Sequence, residues 1–402
     1  MSEQRLTSSL PLFPFPTPLS SDEEPDLARL RAEEPVARVR LASGHEAWVI
    51  TRYEDVKTMM ADPRFSRQRA AEPGAPTLVA SVQTPDMLVS MDPPGHTRVR
   101  RLVNKAFTYR AVGRMRPRVA QIVVELLDGM AEQGPPADLV AGLAKLLPSR
   151  VICHALGVPH EEQSRLDGFL EYIASDTAVP PDEAGVVGQE AVGYLTELIG
   201  RKRQQPGEDL LTGMVEAHDG ADRLTESEIV MTTLLLVGAG QDTTRNQLAN
   251  SVVTLFRHPD QLALLVRQPD LLPRAVEELL RFSRITAAGL IRIATTDVEL
   301  GGVRIHAGEA VLPLPHSANR DAAVFDRPDE LDVTRPDYGA HIAFGHGIHF
   351  CVGSALARME LQESLGALLG RFPTLAPAVP LAELTWHPAT IIRTLTALPV
   401  TW

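Results

Sequence analysis

Two rhythms of apolar and polar positions run along this 402-residue chain, and the helical one dominates. From Asp55 to about Arg267 apolar residues recur at helical spacing. Breaks fall at Pro63, Pro73–Pro76, Pro93-Pro94, Pro135-Pro136, Pro180-Pro181 and Pro206, where a residue without an amide hydrogen ends or bends a helix. Val36 to Thr51 alternates instead, with Val36, Arg38 and Arg40 against Ala37, Val39 and Leu41 around Ser43-Gly44. That alternation predicts a two-stranded hairpin. Val298 to Leu314 returns to short strands with turns at Gly301-Gly302 and Gly308, and residues 371–402 read as short strands and turns. A loop-rich stretch from Asn319 to Phe350 leads into a helix from about Val352 to Gly370. No repeat of about 20–50 residues and no low-complexity linker divides the chain. Residues 1–402 are therefore expected to form a single domain, mainly α, helix-rich with small peripheral β-sheets.

One helix carries unusual residues at its centre. Leu224-Thr225-Glu226-Ser227-Glu228 is a helix start in which Thr225 caps and Glu228 completes a capping box. Helical character runs from there to about Arg257, roughly 30 residues or ~45 Å, long enough to cross the whole domain. In its middle, Gly238 and Gly240 each cost roughly 1 kcal/mol relative to alanine. Asp242, Thr243 and Thr244 follow directly. Two readings stand side by side. The glycines allow close helix packing with Asp242 in a salt bridge, or the helix opens locally around a ligand to which Asp242 and Thr243 supply protons.

Composition narrows the classes. A net charge of -12 argues against non-specific binding of nucleic acid, which needs a surplus of cations. Two cysteines, Cys153 and Cys351, make no disulfide framework, and no C-x-x-C pair points to zinc. The proline-rich start has neither a basic n-region nor an apolar h-region, and no run of about 18 apolar residues occurs anywhere. A cytoplasmic chain without a membrane span is expected. Its cations are 4 Lys against 35 Arg, read as the codon bias of a GC-rich genome. Cys153 reads as inert helix packing. Cys351 differs, because Gly345, Gly347 and Gly353 surround it and a helix begins just after it. A helix N-terminus favours the thiolate, and open backbone N–H groups can tune the sulfur. The residues leave two chemistries open. One is a nucleophilic cysteine, for which His349 is near in sequence but not thereby a dyad partner. The other is an axial thiolate on haem iron.

Phe344-x-x-Gly347-x-His349-x-Cys351-x-Gly353 resembles the haem-binding signature of the cytochrome P-450 superfamily. Three further segments repeat the resemblance in the expected order. Asp92-Pro93-Pro94-Gly95-His96-Thr97-Arg98-Val99-Arg100 is similar to the start of the haem-flanking helix in soluble bacterial members. Ala239-Gly240-Gln241-Asp242-Thr243-Thr244 is similar to the oxygen-activating helix motif, and Glu278-Leu279-Leu280-Arg281 to the Glu-x-x-Arg helix. The resemblance implies the family's fold, with the long central helix crossing the haem, and an actinobacterial secondary-metabolism type of enzyme. By this resemblance Cys351 is the proximal thiolate ligand of haem b, and His96, Arg100, Arg292 and His349 match positions that pair with its propionates. Two buried carboxylates need such partners in any case. Phe344 would pack on the thiolate side of the macrocycle, while His341 and His346 match no ligand position and read as structural. Glu278 and Arg281, three apart on one helical face, pair to fix the fold near the haem. The sequence departs from the pattern at Glu330, where an arginine often completes that network; Arg320 and Arg335 are both candidates to replace it.

The reaction so implied is dioxygen activation at haem and insertion of one oxygen atom into an organic substrate, with thiolate donation favouring O–O cleavage. Asp242 and Thr243 are the acid–alcohol pair that relays and positions protons; peroxide-using relatives lack it. No flavin or iron–sulfur segment occurs in the sequence, so electrons are expected from a ferredoxin and a ferredoxin reductase. Pro93 to Val124 holds no Asp or Glu but carries Arg98, Arg100, Arg101, Lys105, Arg110, Arg114, Arg116 and Arg118, a basic island suited to an acidic partner. By resemblance the pocket is lined by Met87, Leu88, Val89, Leu235, Leu236, Ala239, Ala287, Ala288, Leu290, Ile391 and Ile392, with the segment Arg165 to Pro181. A monomer hydroxylating a bulky, largely apolar polyketide or macrolide is the expectation. Epoxidation or oxidative ring coupling of a terpenoid or an aromatic peptide-derived metabolite is the alternative. Outside this class stand a cysteine hydrolase, which would show no Soret band, and a haem sensor, which would not consume NAD(P)H.

Overall fold

The computed structural model describes residues 10–15, 25–78, 86–166, 168–169, 181–216, 224–336, 338–387 and 392–402. Its strands are β1 (Leu12–Phe13), β2 (Val36–Leu41), β3 (Glu46–Ile50), β4 (Phe65–Ser66), β5 (Ala137–Asp138), β6 (Arg292–Ala294), β7 (Val298–Leu300), β8 (Val303–Ile305), β9 (Ala310–Pro313), β10 (Ala376–Pro377) and β11 (Pro399–Thr401). The alternating segment forms the predicted hairpin, Val36 opposite Ile50 and Arg40 opposite Glu46, with Gly44 at φ +85° in the turn. Both of its faces are covered: Val39 and Val49 are fully buried on one side and Ile50 on the other. The hairpin does not stand alone. β3 pairs in parallel with β9, Ala47 opposite Ala310, and one six-stranded sheet runs in the order β1-β2-β3-β9-β6-β4. Two segments that read as separate peripheral patches are thus one sheet. Two smaller sheets, β10-β11-β5 and β7-β8, complete the strands.

Helices build the larger core. The central helix spans Glu226–Arg257, 32 residues, and its N-terminus carries the predicted capping box between Thr225 and Glu228. It contains no interruption, so it is not locally opened. Its polar side chains dock instead on its own carbonyls one turn back. Thr243 Oγ1 donates to Ala239 O at 2.7 Å, Asn246 Nδ2 to Asp242 O at 2.8 Å, and Asn250 Nδ2 to Asn246 O at 2.8 Å. Such back-bonding satisfies hydroxyls and amides inside a helix without breaking it. Leu146–Ala155 packs on this helix and carries the buried Cys153. The helix following Cys351 begins at Ser354 and ends at Arg371, and it packs on both Tyr109–Gln133 and the central helix. No helix among the described residues is long and apolar enough to cross a membrane.

A buried ion network holds the loop-rich stretch against helix Leu272–Phe282. Arg281 meets Glu278 through two bonds, Nε at 2.7 Å and Nη2 at 2.8 Å. Arg335 completes the network, its Nε 3.0 Å from Glu278 Oε2. Arg320 turns elsewhere, to Phe282 O and Asp329. The backbone of Glu330 explains the departure. Its carbonyl accepts from both Arg281 and Arg335 at 3.1 Å, while its carboxylate points to Arg327 at 2.8 Å.

Candidate functional site

The cysteine loop is shaped by its glycines and by the helix Tyr53–Ala61. Gly347 has φ +73°, and a Cβ there would lie 2.7 Å from Met60 O, so glycine is required for conformation and space together. The same Met60 carbonyl accepts from Arg292 Nη1 at 2.8 Å. Loop and arginine are therefore registered on one turn of helix. Within the loop, Cys351 N donates to Phe344 O at 2.9 Å, closing the chain around the sulfur.

Cys351 is accessible to solvent although densely surrounded by protein. Burial pushes its thiol up, and it outweighs the opposing pull of the Gly353 N–H and the Arg100 and Arg358 charges. The following helix N-terminus meets the sulfur through the Gly353 N–H, which acts for the thiolate while burial acts against it. An isolated sulfur anion here is costly, and a cationic partner at the sulfur would offset that cost.

Around this sulfur lies a concentration of nitrogen donors. His96 is buried, and neither ring nitrogen has a hydrogen-bond partner among the described residues. Its ring lies 4.5 Å from that of His349. Arg292 is buried with Nε unpartnered among the described residues. Arg100 Nη2 donates to Phe350 O at 2.6 Å. Burial, reinforced by Arg100, lowers the His96 pKa to about 4. Burial and then the neighbouring His96, Arg292, Arg67 and Arg100 lower that of His349 to about 2. Burial also brings Arg292 down to about 10. Asp92 is the acidic residue acting on Arg67, His96 and Arg292, and it is occupied by the Arg67 backbone N–H at 3.0 Å and the Ser66 hydroxyl. Buried His96 and Arg292, with half-buried Arg100 and His349 beside them, fit an anionic ligand.

Sequence reasoning missed Arg67. It is buried, its Nε donates to Val89 O at 3.1 Å, and its Nη1 donates to Ile291 O. Those acceptors lie 22 and 224 residues away, and nothing near Phe65-Ser66-Arg67 marks an arginine as internal.

The central helix contributes a window. Most of its residues are buried, but Ala239 is exposed, and Leu235, Gly238, Gly240, Asp242 and Thr243 are half-buried. A Cβ at Gly240 would meet only Ile152 Cδ1 at 3.9 Å, so helix packing does not demand that glycine. Asp242 lies 3.9 Å from Arg245 and 3.3 Å from Asn246 Nδ2. The contact with Arg245 is thus a long one, and the helix face beside Asp242 is open. The C-terminal turn reaches this neighbourhood: Ile392 pairs with Thr286, and Arg393 O accepts from Asn250 of the central helix at 2.8 Å. Of the predicted pocket residues, Leu88 and Ala288 are buried in the helical and sheet cores respectively. Val89 and Leu235 are half-buried, and Ala239 and Leu290 are exposed. Ile391, and most of Arg165 to Pro181, lie outside the described residues.

Comparison with known proteins decides the family. A model of the cytochrome P-450 family matches residues 265–382. Nocardicin C N-oxygenase of Nocardia uniformis subsp. tsuyamanensis is 46% identical over 392 residues, 97% of this chain and 98% of that protein. The chain belongs to the cytochrome P-450 family. Mycinamicin IV hydroxylase/epoxidase of Micromonospora griseorubida is 42% identical over 93% of this cytochrome P-450 and 94% of the relative. Its fold matches the crystal structure of the LnmA cytochrome P-450 hydroxylase from the leinamycin pathway of Streptomyces atroolivaceus with a TM-score of 0.91. That pair shares 45% identity over 98% of this chain and 100% of the other. It is a monooxygenase of the actinobacterial secondary-metabolism group, and membership implies a haem.

The residues fit that group. Among the described residues no set of three or more His, Cys, Asp or Glu could hold a bare metal ion. A tetrapyrrole brings its own nitrogens to the iron and needs one protein ligand beneath it. Cys351 could supply that ligand, and the donors of His96, His349, Arg100 and Arg292 could receive its acidic side arms.

Proposed function

We propose that Cys351 is the thiolate ligand of haem b and that His96, Arg100, Arg292 and His349 receive the propionates, within one domain spanning the chain. What carries this reading is the buried ring nitrogens of His96 and the Nε of Arg292, without hydrogen-bond partners among the described residues, near an accessible sulfur. When bound, the haem supplies dioxygen activation; the polypeptide orients it, orders protons and excludes water. Asp242 and Thr243 lie on the open face of the central helix, where a carboxylic acid and a hydroxyl can hand a proton to an oxygen ligand. Thr243 rests on Ala239 O, a bond that fixes its oxygen at the helix surface.

The substrate is a bulky, largely apolar natural product of polyketide or macrolide type, and the step is hydroxylation. The apolar surfaces of Val89, Leu235, Ala239 and Leu290, together with relatives named as hydroxylases, support this. Electrons come from a ferredoxin and its reductase. Of the basic island, Arg98 pairs with Glu228 and Arg116 with Glu363, while Arg118 bonds Glu125 at 3.1 Å. Lys105, Arg110 and Arg114 are exposed and carry no ion pair among the described residues, beside the exposed Tyr109. An acidic partner has free charges there to meet. Coupling tests the proton relay. In Thr243→Ala, product formed per NAD(P)H consumed should fall several-fold while NAD(P)H consumption continues; unchanged coupling would overturn the assignment.

A further inference from the structure

Glu277 and Glu278 are neighbours on one helix and serve different partners. Glu278 faces Arg281 and Arg335, whereas Glu277 faces the cysteine loop. Arg358, on the helix after Cys351, grips Glu277 with Nε at 2.7 Å and Nη2 at 2.8 Å. The guanidinium also lies over the Phe344 ring, 4.5 Å from its centroid. His341 Nε2 reaches Glu277 Oε2 at 3.0 Å, while its Nδ1 accepts from Ala343 N at 3.2 Å. The imidazole so held bridges the carboxylate and the loop backbone. Glu277 is buried, and Arg358 is its sole cationic guanidinium contact among the described residues.

We propose that the Glu277–Arg358 pair sets how strongly Cys351 donates to the haem iron, with Glu277 as a positioning and charge-balancing residue. Arg358 lies over the Phe344 ring, and the Phe344 carbonyl accepts from the Cys351 amide, so its charge sits against the residue that carries the sulfur loop. A lone guanidinium in that place would draw electron density towards itself and weaken the sulfur as a donor. The carboxylate behind it cancels much of that pull and locks the guanidinium over Phe344, whose carbonyl holds the Cys351 amide. The pair is balanced, so each partner's loss acts with opposite sign on the iron. In a partly buried setting one uncompensated charge is worth on the order of tenfold in an equilibrium constant.

The proposal rests on haem ligation by Cys351. The test is mediated redox titration of the haem-loaded protein, which needs neither substrate nor electron partner, alongside the reduced carbon monoxide spectrum. Glu277→Gln removes a negative charge and should shift the one-electron equilibrium towards ferrous iron about tenfold, about 59 mV. Arg358→Gln should shift it the other way by a similar factor. The double variant should return near the starting value, and Arg358→Lys, which keeps the charge, should move it least. Shifts of the same sign in both single variants, or none, would overturn the proposal, as would unequal charge behaviour of the lysine and glutamine variants reversed from this order. A wild-type protein without the red-shifted Soret band would instead remove the ligation beneath it, so the two failures are distinguishable.

Discussion

Arg335 shows how much a single side chain decides and how little of that is local. The sequence left Arg320 and Arg335 as equal candidates to complete the Glu278–Arg281 pair. The choice is made by carbonyls of Asp326, Arg327 and Glu330 that converge on the Arg335 guanidinium, and by a Glu278 contact across 57 residues. Removing one member of a buried charge network leaves the others unpaired, so Arg335→Met should cost about 3 kcal/mol in chemical denaturation. Arg320→Met should cost less, because its acidic partner Asp329 is solvent-exposed. Equal losses would contradict the assignment. The histidines give a pH prediction. The His96 pKa falls from about 6.5 in the unfolded chain to about 4 in the folded one, so protons favour the unfolded state once the pH drops below about 6.5. Stability is complete above that and is lost as pH falls towards 4, by about 2 kcal/mol at pH 5. Carboxylates placed against His96 would reduce this loss. Denaturant midpoints at pH 7 and pH 5 should therefore diverge more in haem-free than in haem-loaded protein.

Elements were legible where their signal is short-range. The hairpin alternation, the turns at Gly301-Gly302 and Gly308, and the Thr225–Glu228 start all formed where the residues placed them. What the pattern concealed is the pairing of β3 with β9, since parallel strands joined across most of the chain leave no local trace. The short β6, which carries Arg292, precedes the predicted strand region for the same reason: its register is fixed by β9. The central helix was legible in length but not in detail. Its small and polar residues imply an opening, yet back-bonding by Thr243, Asn246 and Asn250 keeps the ladder whole. Its start is the accessible test of local stability. Thr225→Ala removes the cap and should destabilise the protein by about 1 kcal/mol in denaturant unfolding; a change within a few tenths would mean tertiary packing alone holds that end.

Across the whole molecule, the net charge of -12 conceals an island of opposite sign. Half of that island is spent inside the protein on Glu228, Glu363, Glu125 and the Phe350 carbonyl. Of the other four, Lys105, Arg110 and Arg114 are exposed and are what an electron donor would meet. Exposed charges are screened beyond about 8 Å at physiological salt. Reduction by an acidic ferredoxin should slow as salt is raised, and Arg114→Glu should slow it several-fold at low salt with an unchanged haem spectrum. The four sequence motifs made the family and the sulfur legible at this scale because each is contiguous. Arg67 and the Glu277–Arg358 pair were not, because their partners are assembled only by the fold. Everything turns on the bond between Cys351 and iron, and one measurement addresses it: the reduced, carbon monoxide-bound spectrum of the haem-loaded protein beside that of Cys351→Ser. The account predicts a red-shifted Soret band that the serine variant loses while it still binds haem. A wild-type spectrum without that band, or a serine variant that keeps it, would contradict the account.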